Sequence, residues 1–313
     1  MSKVLITGGH SGIGYECAKT LVSEYRSEVV LAGRSPQRMA EVATELKKLA
    51  DVNVTLLELD TSSLASVRAA AAKCQGETFD AILCNAGGRF EKLEYSADGY
   101  ERTFATNCLG HFLLVELLID RVAKNGRVVF TTSGTHDPDS LDGKMVGKVV
   151  EPDATALANT GRSGPGLGAG KRYTTSKLVD LMYAYELARK LKSAGSAITA
   201  TGYDPGSIPD SNFLRGMPGP VRALAASSFM KWFSAKIGVT QGDLVFSGAA
   251  LAKLAVDPQY AGVTAKYFQS SSLRLLEKPS ATVSYSEPLA RKLWDDSRHL
   301  AHLKPEELSA LLR

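Results

Sequence analysis

The sequence predicts an α/β protein with a doubly wound parallel sheet in a single domain. Two observations predict this class. Short β-branched runs alternate with segments of helical periodicity about six times, and those runs are continuously apolar. Strands that are covered by helices on both faces have this composition. The 313 residues and 44% hydrophobic content are sufficient for one domain with a large core.

The first three strand–helix units follow one another without interruption. KVLIT is the first predicted strand, and an amphipathic helix follows it to about Tyr25. EVVLAG leads into the helix SPQRMAEVATELKKLA, in which Ser35 is the predicted N-cap and Pro36 takes the first helical position. NVTLLELD is the third strand, and the helix SSLASVRAAAAKC follows it.

Three further strands complete the pattern. FDAILCNAG precedes a helix from about Asp98 to Val122, and GRVVFTTS follows that helix. The long helix RYTTSKLVDLMYAYELARKL then leads into AITATGYDPG. Long excursions in a compact α/β protein are usually functional. We therefore expect an insertion at about 134–171, a substrate lid at about 207–237 and a C-terminal helical extension at about 286–313.

Composition argues against several classes of function. The net charge of +4 is spread without a dense Lys/Arg block, so nucleic acid is not an expected partner. Because the first predicted strand begins at Lys3, we expect no signal peptide, and we expect no apolar run long enough to span a membrane. We expect a cytoplasmic protein without a metal site. The four cysteines have no C-x-x-C spacing and are expected to be reduced core residues: Cys17, Cys74, Cys84 and Cys108.

Three glycines lie in the loop between the first strand and the first helix. A strand, a glycine turn and a helix N-terminus together form an anion site, because backbone N–H groups and the helix dipole point at the ligand. Gly8 would permit the turn, Gly12 would let a diphosphate approach the backbone, and Gly14 would let the helix pack closely. The alternative is a glycine turn that serves packing alone.

The spacing T-G-x-x-x-G-x-G, from Thr7 to Gly14, resembles that of the short-chain dehydrogenase/reductase family. The resemblance extends over residues 4–208 and implies a Rossmann-type fold. It implies hydride transfer with a nicotinamide cofactor. Six further signals of the family follow at other positions: Asp60, Asn85-Ala86-Gly87, Asn107, Ser133, Tyr173 with Lys177, and Pro205-Gly206.

The resemblance assigns the chemistry to Tyr173, Lys177, Ser133 and Asn107. Carbonyl reduction needs a proton on oxygen, and tyrosine is a poor acid at neutral pH. Lys177 lies one helical turn from Tyr173, so we expect its ammonium to lower the pKa of the phenol. Ser133 would hold the substrate oxygen. Asn107 would anchor a water that connects Lys177 to solvent.

The second predicted strand indicates which nicotinamide cofactor is used. It ends in VVLAGRS, with Arg34 where an NAD site would carry an acid. A guanidinium pairs with a 2′-phosphate, and His10 could add a second donor, so NADP(H) is predicted. A solvated Arg34 and a His10 that only forms the turn are the alternative.

The resemblance also assigns the remaining contacts of the cofactor. Asp60 would meet the adenine edge, residues 85–87 the ribose side, and the Ile208 backbone the carboxamide. The complete predicted cofactor set is Gly8, His10, Ser11, Gly12, Ile13, Gly14, Arg34, Asp60, Thr61, Asn85, Ala86, Gly87, Tyr173, Lys177, Pro205, Gly206 and Ile208.

The long gap between Ser133 and Tyr173 points to one branch of the family. Light-dependent protochlorophyllide reductases and retinol-dehydrogenase-like enzymes resemble this chain in TN-x-LGHFLL and in a long segment before the tyrosine. A carbonyl or alcohol of a bulky apolar small molecule is the predicted substrate. Protochlorophyllide-type C=C reduction is an alternative, although KLVDLM, with Val179 and Asp180, lacks the cysteine of those enzymes. A non-catalytic NADP(H)-binding regulator is another alternative.

Two predictions concern surfaces. The segment around 219–237 combines apolar residues such as Trp232 and Phe233 with basic residues. Such a helix closes over an apolar substrate or rests on a membrane surface, and an ordinary packed helix is the alternative. Because members of the family are often dimers or tetramers, the resemblance implies oligomer contacts through the helices at about 98–122 and 172–194. The insertions could block those faces, so the sequence is compatible with a homo-oligomer or with a monomer.

Overall fold

One eight-stranded sheet organises the residues that the computed structural model describes, 1–208 and 242–313. Its strand order is β3-β2-β1-β4-β5-β6-β7-β8. Strands β1 to β7 pair in parallel, and β8 pairs antiparallel with β7. The strands are β1 Lys3–Thr7, β2 Glu28–Gly33, β3 Val54–Glu58, β4 Phe79–Cys84, β5 Val122–Thr131, β6 Thr199–Asp204, β7 Lys266–Ser271 and β8 Arg274–Lys278.

Helices cover both faces of the sheet. Helices α1, α2 and α8 contribute to one apolar core, and α3, α4, α7 and α9 contribute to the other. This arrangement confirms the predicted doubly wound α/β class. The helices are α1 Gly12–Ser23, α2 Pro36–Lys47, α3 Leu64–Lys73, α4 Arg102–Arg121, α5 Leu141–Val146, α6 Ala154–Ala158, α7 Ala169–Ser193, α8 Leu244–Val256 and α9 Glu287–Leu300.

Local sequence signals set several helix boundaries. The Ser35 hydroxyl accepts a hydrogen bond from the Arg38 N–H, and Pro36 is the first residue of α2, which confirms the predicted cap. Ser63 caps α3 in the same way. Helix α4 is not regular, because Ala105–Leu109 form a π-helical turn inside it. The predicted insertion contains α5, α6 and the start of α7.

Strands β7 and β8 were not predicted. Gln269 and Ser270 interrupt the apolar pattern of β7, so it lacks the continuous apolar character of the other parallel strands. The β7–β8 hairpin turns at Ser272 and Leu273, whose φ angles are 49° and 57°. Glycine or asparagine usually occupies such left-handed turn positions, so this turn gave no composition signal.

Helix α4 corrects the expectation that no apolar segment is long enough to span a membrane. Among the described residues, this helix alone is long and apolar enough to do so by length and composition. However, 89% of its apolar window is buried inside the protein. Its apolar side chains therefore form part of the core, between the sheet and neighbouring helices.

Helix α9 covers surfaces of α4 and α7. The indole of Trp294 packs edge-on against Phe112 and Tyr183, with ring centroids 4.9 and 6.0 Å away. Its Nε1–H donates to Glu116, 2.9 Å away. Parts of the two helices predicted to form oligomer contacts are thus covered by the chain itself. Residues 209–241, with most of the predicted lid and its basic apolar helix, lie outside the described residues.

Candidate active site

The predicted site residues gather at the carboxyl ends of the parallel strands. The chain direction across the sheet reverses between β1 and β4, whose ends carry the glycine loop and residues 85–87. Ser133 and Pro205 follow β5 and β6 at the same edge. Ligands of doubly wound sheets bind in the crevice at such a reversal.

The glycine loop has the backbone of a phosphate cradle. Gly8 and Gly12 have φ angles of 70° and 55°, in the left-handed region that favours glycine. A Cβ on Gly14 would lie 2.4 Å from the Gly8 carbonyl oxygen, so only glycine permits this approach of helix to loop. A Cβ on Gly12 would meet open space. Ser11 precedes α1 without a side-chain cap, and Ile13 lies in the first turn. An anion fits this N-terminus.

Thr7 joins the glycine loop to residues 85–87. Its Oγ1 accepts the N–H groups of Asn85 and Ala86, at 2.8 and 2.9 Å. The Asn85 amide donates back to the Thr7 carbonyl, 3.0 Å away. These bonds fix the two loops on which the resemblance places the pyrophosphate and the ribose.

A buried histidine extends this network. Burial lowers the pKa of His111 to about 4, so the imidazole is neutral at neutral pH. Its Nδ1–H donates to the Asn107 carbonyl, 2.9 Å away, which leaves Nε2 to accept from the Thr7 hydroxyl, also 2.9 Å away. The π-helical turn of α4 is thereby tied to the end of β1.

Positive groups surround the end of β2. Burial and the charges of Arg34 and Arg38 lower the pKa of His10. The imidazole lies against Gly33, where a Cβ would be 2.6 Å from the ring, and its buried Nδ1 has no hydrogen-bond partner among the described residues. Arg34 is exposed at the same corner. Two predicted residues and Arg38, which the sequence analysis missed, thus form a basic cluster.

Asp60 and Thr61 lie at the end of β3. Asp60 Oδ1 accepts from the N–H and hydroxyl of Ser62, at 2.9 and 2.7 Å. Thr61 contacts α4 closely, because a Cβ on Gly110 would lie 1.9 Å from the Thr61 carbonyl oxygen. The adenine contact assigned to Asp60 stays a prediction.

Tyr173, Ser133 and Lys177 lie together at the end of β5. Burial of the phenol raises the pKa of Tyr173, although Lys177 and a hydrogen bond with Ser133 act to lower it. The expected direction of the Lys177 interaction is therefore right, but the expected net decrease is wrong, because desolvation outweighs the ammonium.

Lys177 is buried among acceptors. Its Nζ donates to the Thr131 carbonyl and to Asp180 Oδ2, each 2.8 Å away. Burial lowers the pKa of Lys177, but the charges of Asp180 and Tyr173 make the net shift upward, so the group is an ammonium. A Cβ on Gly87 would lie 3.7 Å from Nζ, which brings the lysine beside the Asn85–Gly87 loop.

Asn107 is fully buried in the π-helical turn. Its Oδ1 accepts from the Gly88 N–H at 3.0 Å, and its Nδ2 donates to the Gly88 carbonyl and Ser176 Oγ, at 3.1 and 2.9 Å. These bonds hold the loop after β4 beside Lys177. Its role as anchor of a water stays a prediction.

The end of β6 completes the site. Asp204 precedes the Pro205-Gly206 pair and accepts from the Gly206 N–H, 2.9 Å away. Its other oxygen accepts from Tyr267 and Gln269 at 2.9 and 2.7 Å. Gly206 has a φ of 77°, and Ile208 is buried. All predicted site residues lie within the described chain.

Comparison with known proteins identifies the family. A family model described as short chain dehydrogenase matches residues 2–139. The Brassica napus protein "Short-chain dehydrogenase TIC 32 B, chloroplastic" is 32% identical over 312 residues, which cover 96% of this chain and 89% of the relative. The chain belongs to the short-chain dehydrogenase family. It is therefore an oxidoreductase of a family that uses nicotinamide cofactors.

Other short-chain dehydrogenase relatives carry more specific names. A Chlamydomonas reinhardtii protochlorophyllide reductase is 29% identical, covering 96% of this chain and 77% of the relative. A human polyprenol dehydrogenase is 28% identical, covering 94% and 83%. These relatives confirm the predicted branch.

Solved structures show the same fold at lower identity. An uncharacterised Mycobacterium paratuberculosis protein superimposes with a TM-score of 0.71 at 24% identity, covering 97% of this chain and 94% of that one. The NADP complex of Pseudomonas aeruginosa RhlG gives a TM-score of 0.62 at 21% identity, covering 86% and 94%.

Proposed function

We propose that this short-chain dehydrogenase is an NADP(H)-dependent oxidoreductase acting on a carbonyl or alcohol of a bulky apolar molecule. The observation that carries the proposal is the grouping of Tyr173, Ser133 and Lys177 beside the glycine loop. The loop, uncapped at Ser11 and open at Gly12, is suited to a dinucleotide diphosphate.

The basic cluster of His10, Arg34 and Arg38 supports NADP(H) over NAD(H). A carboxylate would bind the two ribose hydroxyls, whereas three cationic or proton-donating groups suit a 2′-phosphate. The arginine charges next to His10 favour an anion there. RhlG, which shares the fold, was solved with NADP.

The acid–base chemistry is assigned to side chains of this chain. A nicotinamide cofactor held by the glycine loop would supply or accept the hydride. In reduction, Tyr173 donates a proton to the carbonyl oxygen as negative charge develops there, and Ser133 holds that oxygen by a hydrogen bond. The raised pKa keeps the phenol protonated at neutral pH, which is the form that reduction requires. Lys177 stabilises the phenolate left behind.

Three observations support a bulky apolar substrate. The insertion before Tyr173 lengthens the chain beside the site, as the sequence analysis noted. The named substrates of two relatives, polyprenol and protochlorophyllide, are large and apolar. The apolar and basic sequence at 219–237 suits a lid or a membrane-surface contact. A cytoplasmic location stays a prediction.

The test is NADPH oxidation in the dark against bulky ketones, quinones and aldehydes. We expect turnover with at least one apolar carbonyl, and Tyr173→Phe should lower kcat at least about 100-fold while NADPH still binds. Tyr185→Phe is the matched control, because it removes a buried hydroxyl from α7 that bonds Ser280 instead of Ser133. Near-normal turnover by Tyr173→Phe would contradict the assigned role.

Protochlorophyllide reduction is the second candidate. The 29% identity with a protochlorophyllide reductase over 96% of this chain favours it. The same samples are therefore illuminated with protochlorophyllide. Turnover that requires pigment and light would assign C=C reduction. Tight NADPH binding without turnover in either arm would favour the non-catalytic regulator.

A further inference from the structure

Helix α7 places a carboxylate against the lysine of the site. Asp180 follows Lys177 by three residues, so both side chains lie on one face of the helix. The two side chains are 2% and 7% exposed, and Asp180 Oδ2 is 2.8 Å from Lys177 Nζ. Thr131 takes a second N–H of the ammonium. An ammonium has three N–H donors, so these two bonds to described residues leave one for the cofactor or a water.

Lys177 is the charged partner of this carboxylate, and the Cys108 thiol also forms a hydrogen bond with it. Burial raises the pKa of Asp180 to about 6 against the opposing effects of Lys177 and of the Cys108 thiol. The other titratable groups that act on the pair add no positive charge at neutral pH. They are Cys84 on β4, Cys108 and His111 on α4, and Tyr173 and Tyr183 on α7, while Asp204 on β6 acts on Tyr173.

We infer that Asp180 is a positioning residue that fixes Lys177 Nζ against Thr131 and weakens the field of the ammonium at Tyr173. The inference rests on the proposed acid–base role of Tyr173. An anion next to the lysine opposes the lysine's effect on the phenol, so Asp180 keeps the proton on Tyr173 at higher pH. The KLVDLM sequence lacks the cysteine of the protochlorophyllide enzymes, and its Asp180 places a negative charge beside Lys177.

The experiment removes the charge of Asp180 and keeps the shape of its side chain. Asp180→Asn retains an oxygen that can accept from Lys177, and Asp180→Glu retains the charge. Glu186→Gln is the matched control, because Glu186 pairs with Arg189 at the same three-residue spacing on α7, away from the site. The titration of Tyr173 is followed by 13C NMR of labelled tyrosine ring carbons, with Tyr173→Phe to assign the resonance.

We expect Asp180→Asn to increase the ionisation constant of Tyr173 about three- to tenfold, with Asp180→Glu and Glu186→Gln close to wild type. The alkaline limit of the reductase pH profile should move down in parallel. An unchanged Tyr173 titration in folded Asp180→Asn overturns the inference, as does an equal shift in Glu186→Gln. The NMR titration needs no substrate. Absence of turnover therefore bears on the proposed function alone.

Discussion

His10 illustrates how a residue of the glycine loop can report on the cofactor. The imidazole lies against Gly33, and its neighbours are the arginines at positions 34 and 38. Burial and those two cations disfavour the imidazolium, so the free protein keeps His10 neutral at neutral pH. A 2′-phosphate placed there would instead favour the imidazolium form of His10.

The pH dependence of NADPH binding tests this placement. The phosphate raises the pKa of His10 in the complex, so binding takes up a proton and NADPH affinity falls as pH rises between the free and bound pKa values. We expect a decrease of about three- to tenfold that His10→Gln removes, measured by NADPH fluorescence. NADH lacks the phosphate and should show no such dependence. The same pH profile in His10→Gln and wild type would place the phosphate elsewhere.

The individual residues of the site were predictable where they belong to sequence motifs. The resemblance to the family points to Tyr173, Lys177 and Ser133, because the family's motifs occur in this sequence in the same order. Asp180 was noted only as a departure, and its pairing with Lys177 became visible in the structure. The net pKa shift of Tyr173 also depends on burial, which the spacing of residues does not give.

The packing of α4 on the end of β3 depends on a glycine, Gly110, which has no side chain. Gly110 follows the π-helical turn, and its hypothetical Cβ would lie 1.9 Å from the Thr61 carbonyl oxygen. Backbone cannot move aside as a side chain can. The contact therefore fixes how closely the helix that carries Asn107 approaches the cofactor side of the sheet.

Gly110→Ala tests whether the close contact with Thr61 outweighs the higher helix propensity of alanine. Alanine favours a helix interior by about 1 kcal/mol over glycine, whereas overpacking costs about 1–3 kcal/mol or more. Since the clash is with backbone, we expect a lower free energy of unfolding, measured by urea denaturation, and weaker cofactor binding. Gly164→Ala is the control, because this loop position is exposed and a Cβ there meets nothing within 4 Å. Stabilisation by Gly110→Ala would show that α4 can move away at little cost.

Helices and strands with clear local sequence signals were predictable, and those without such signals were not. The cap at Ser35 and six apolar strands were found from composition and spacing. The β7–β8 hairpin was missed because its turn uses Ser272 and Leu273, and the π-helical turn because nothing in ATNCL distinguishes it from an α-helix. Both features depend on tertiary packing.

The molecule as a whole is completed by α9. Trp294 is 1% exposed, its ring contacts Phe112 and Tyr183, and Glu116 accepts from both Trp294 and Arg298. The C-terminal segment therefore contributes to the main core and covers helices that would otherwise present apolar surface. We expect the covered faces to be unavailable for the oligomer contacts that the resemblance suggested.

Trp294→Ala should lower the free energy of unfolding by about 3–5 kcal/mol, because it leaves a large cavity and deprives Glu116 of a donor. The midpoint of urea unfolding measures the loss. Leu273→Ala, at a side chain that is 65% exposed, should change the midpoint little. An unchanged midpoint in Trp294→Ala would mean that α9 adds little to the stability of the fold.

The position of Trp294 also constrains how the protein is made. A nascent chain emerges from the ribosome N-terminus first. Phe112 and Tyr183 are synthesised before the indole that packs against them, so this part of their cover is missing until α9 is made. The core becomes complete only when α9 has left the ribosome. Until then, the growing polypeptide presents the apolar surface that α9 later covers, and such surface favours aggregation.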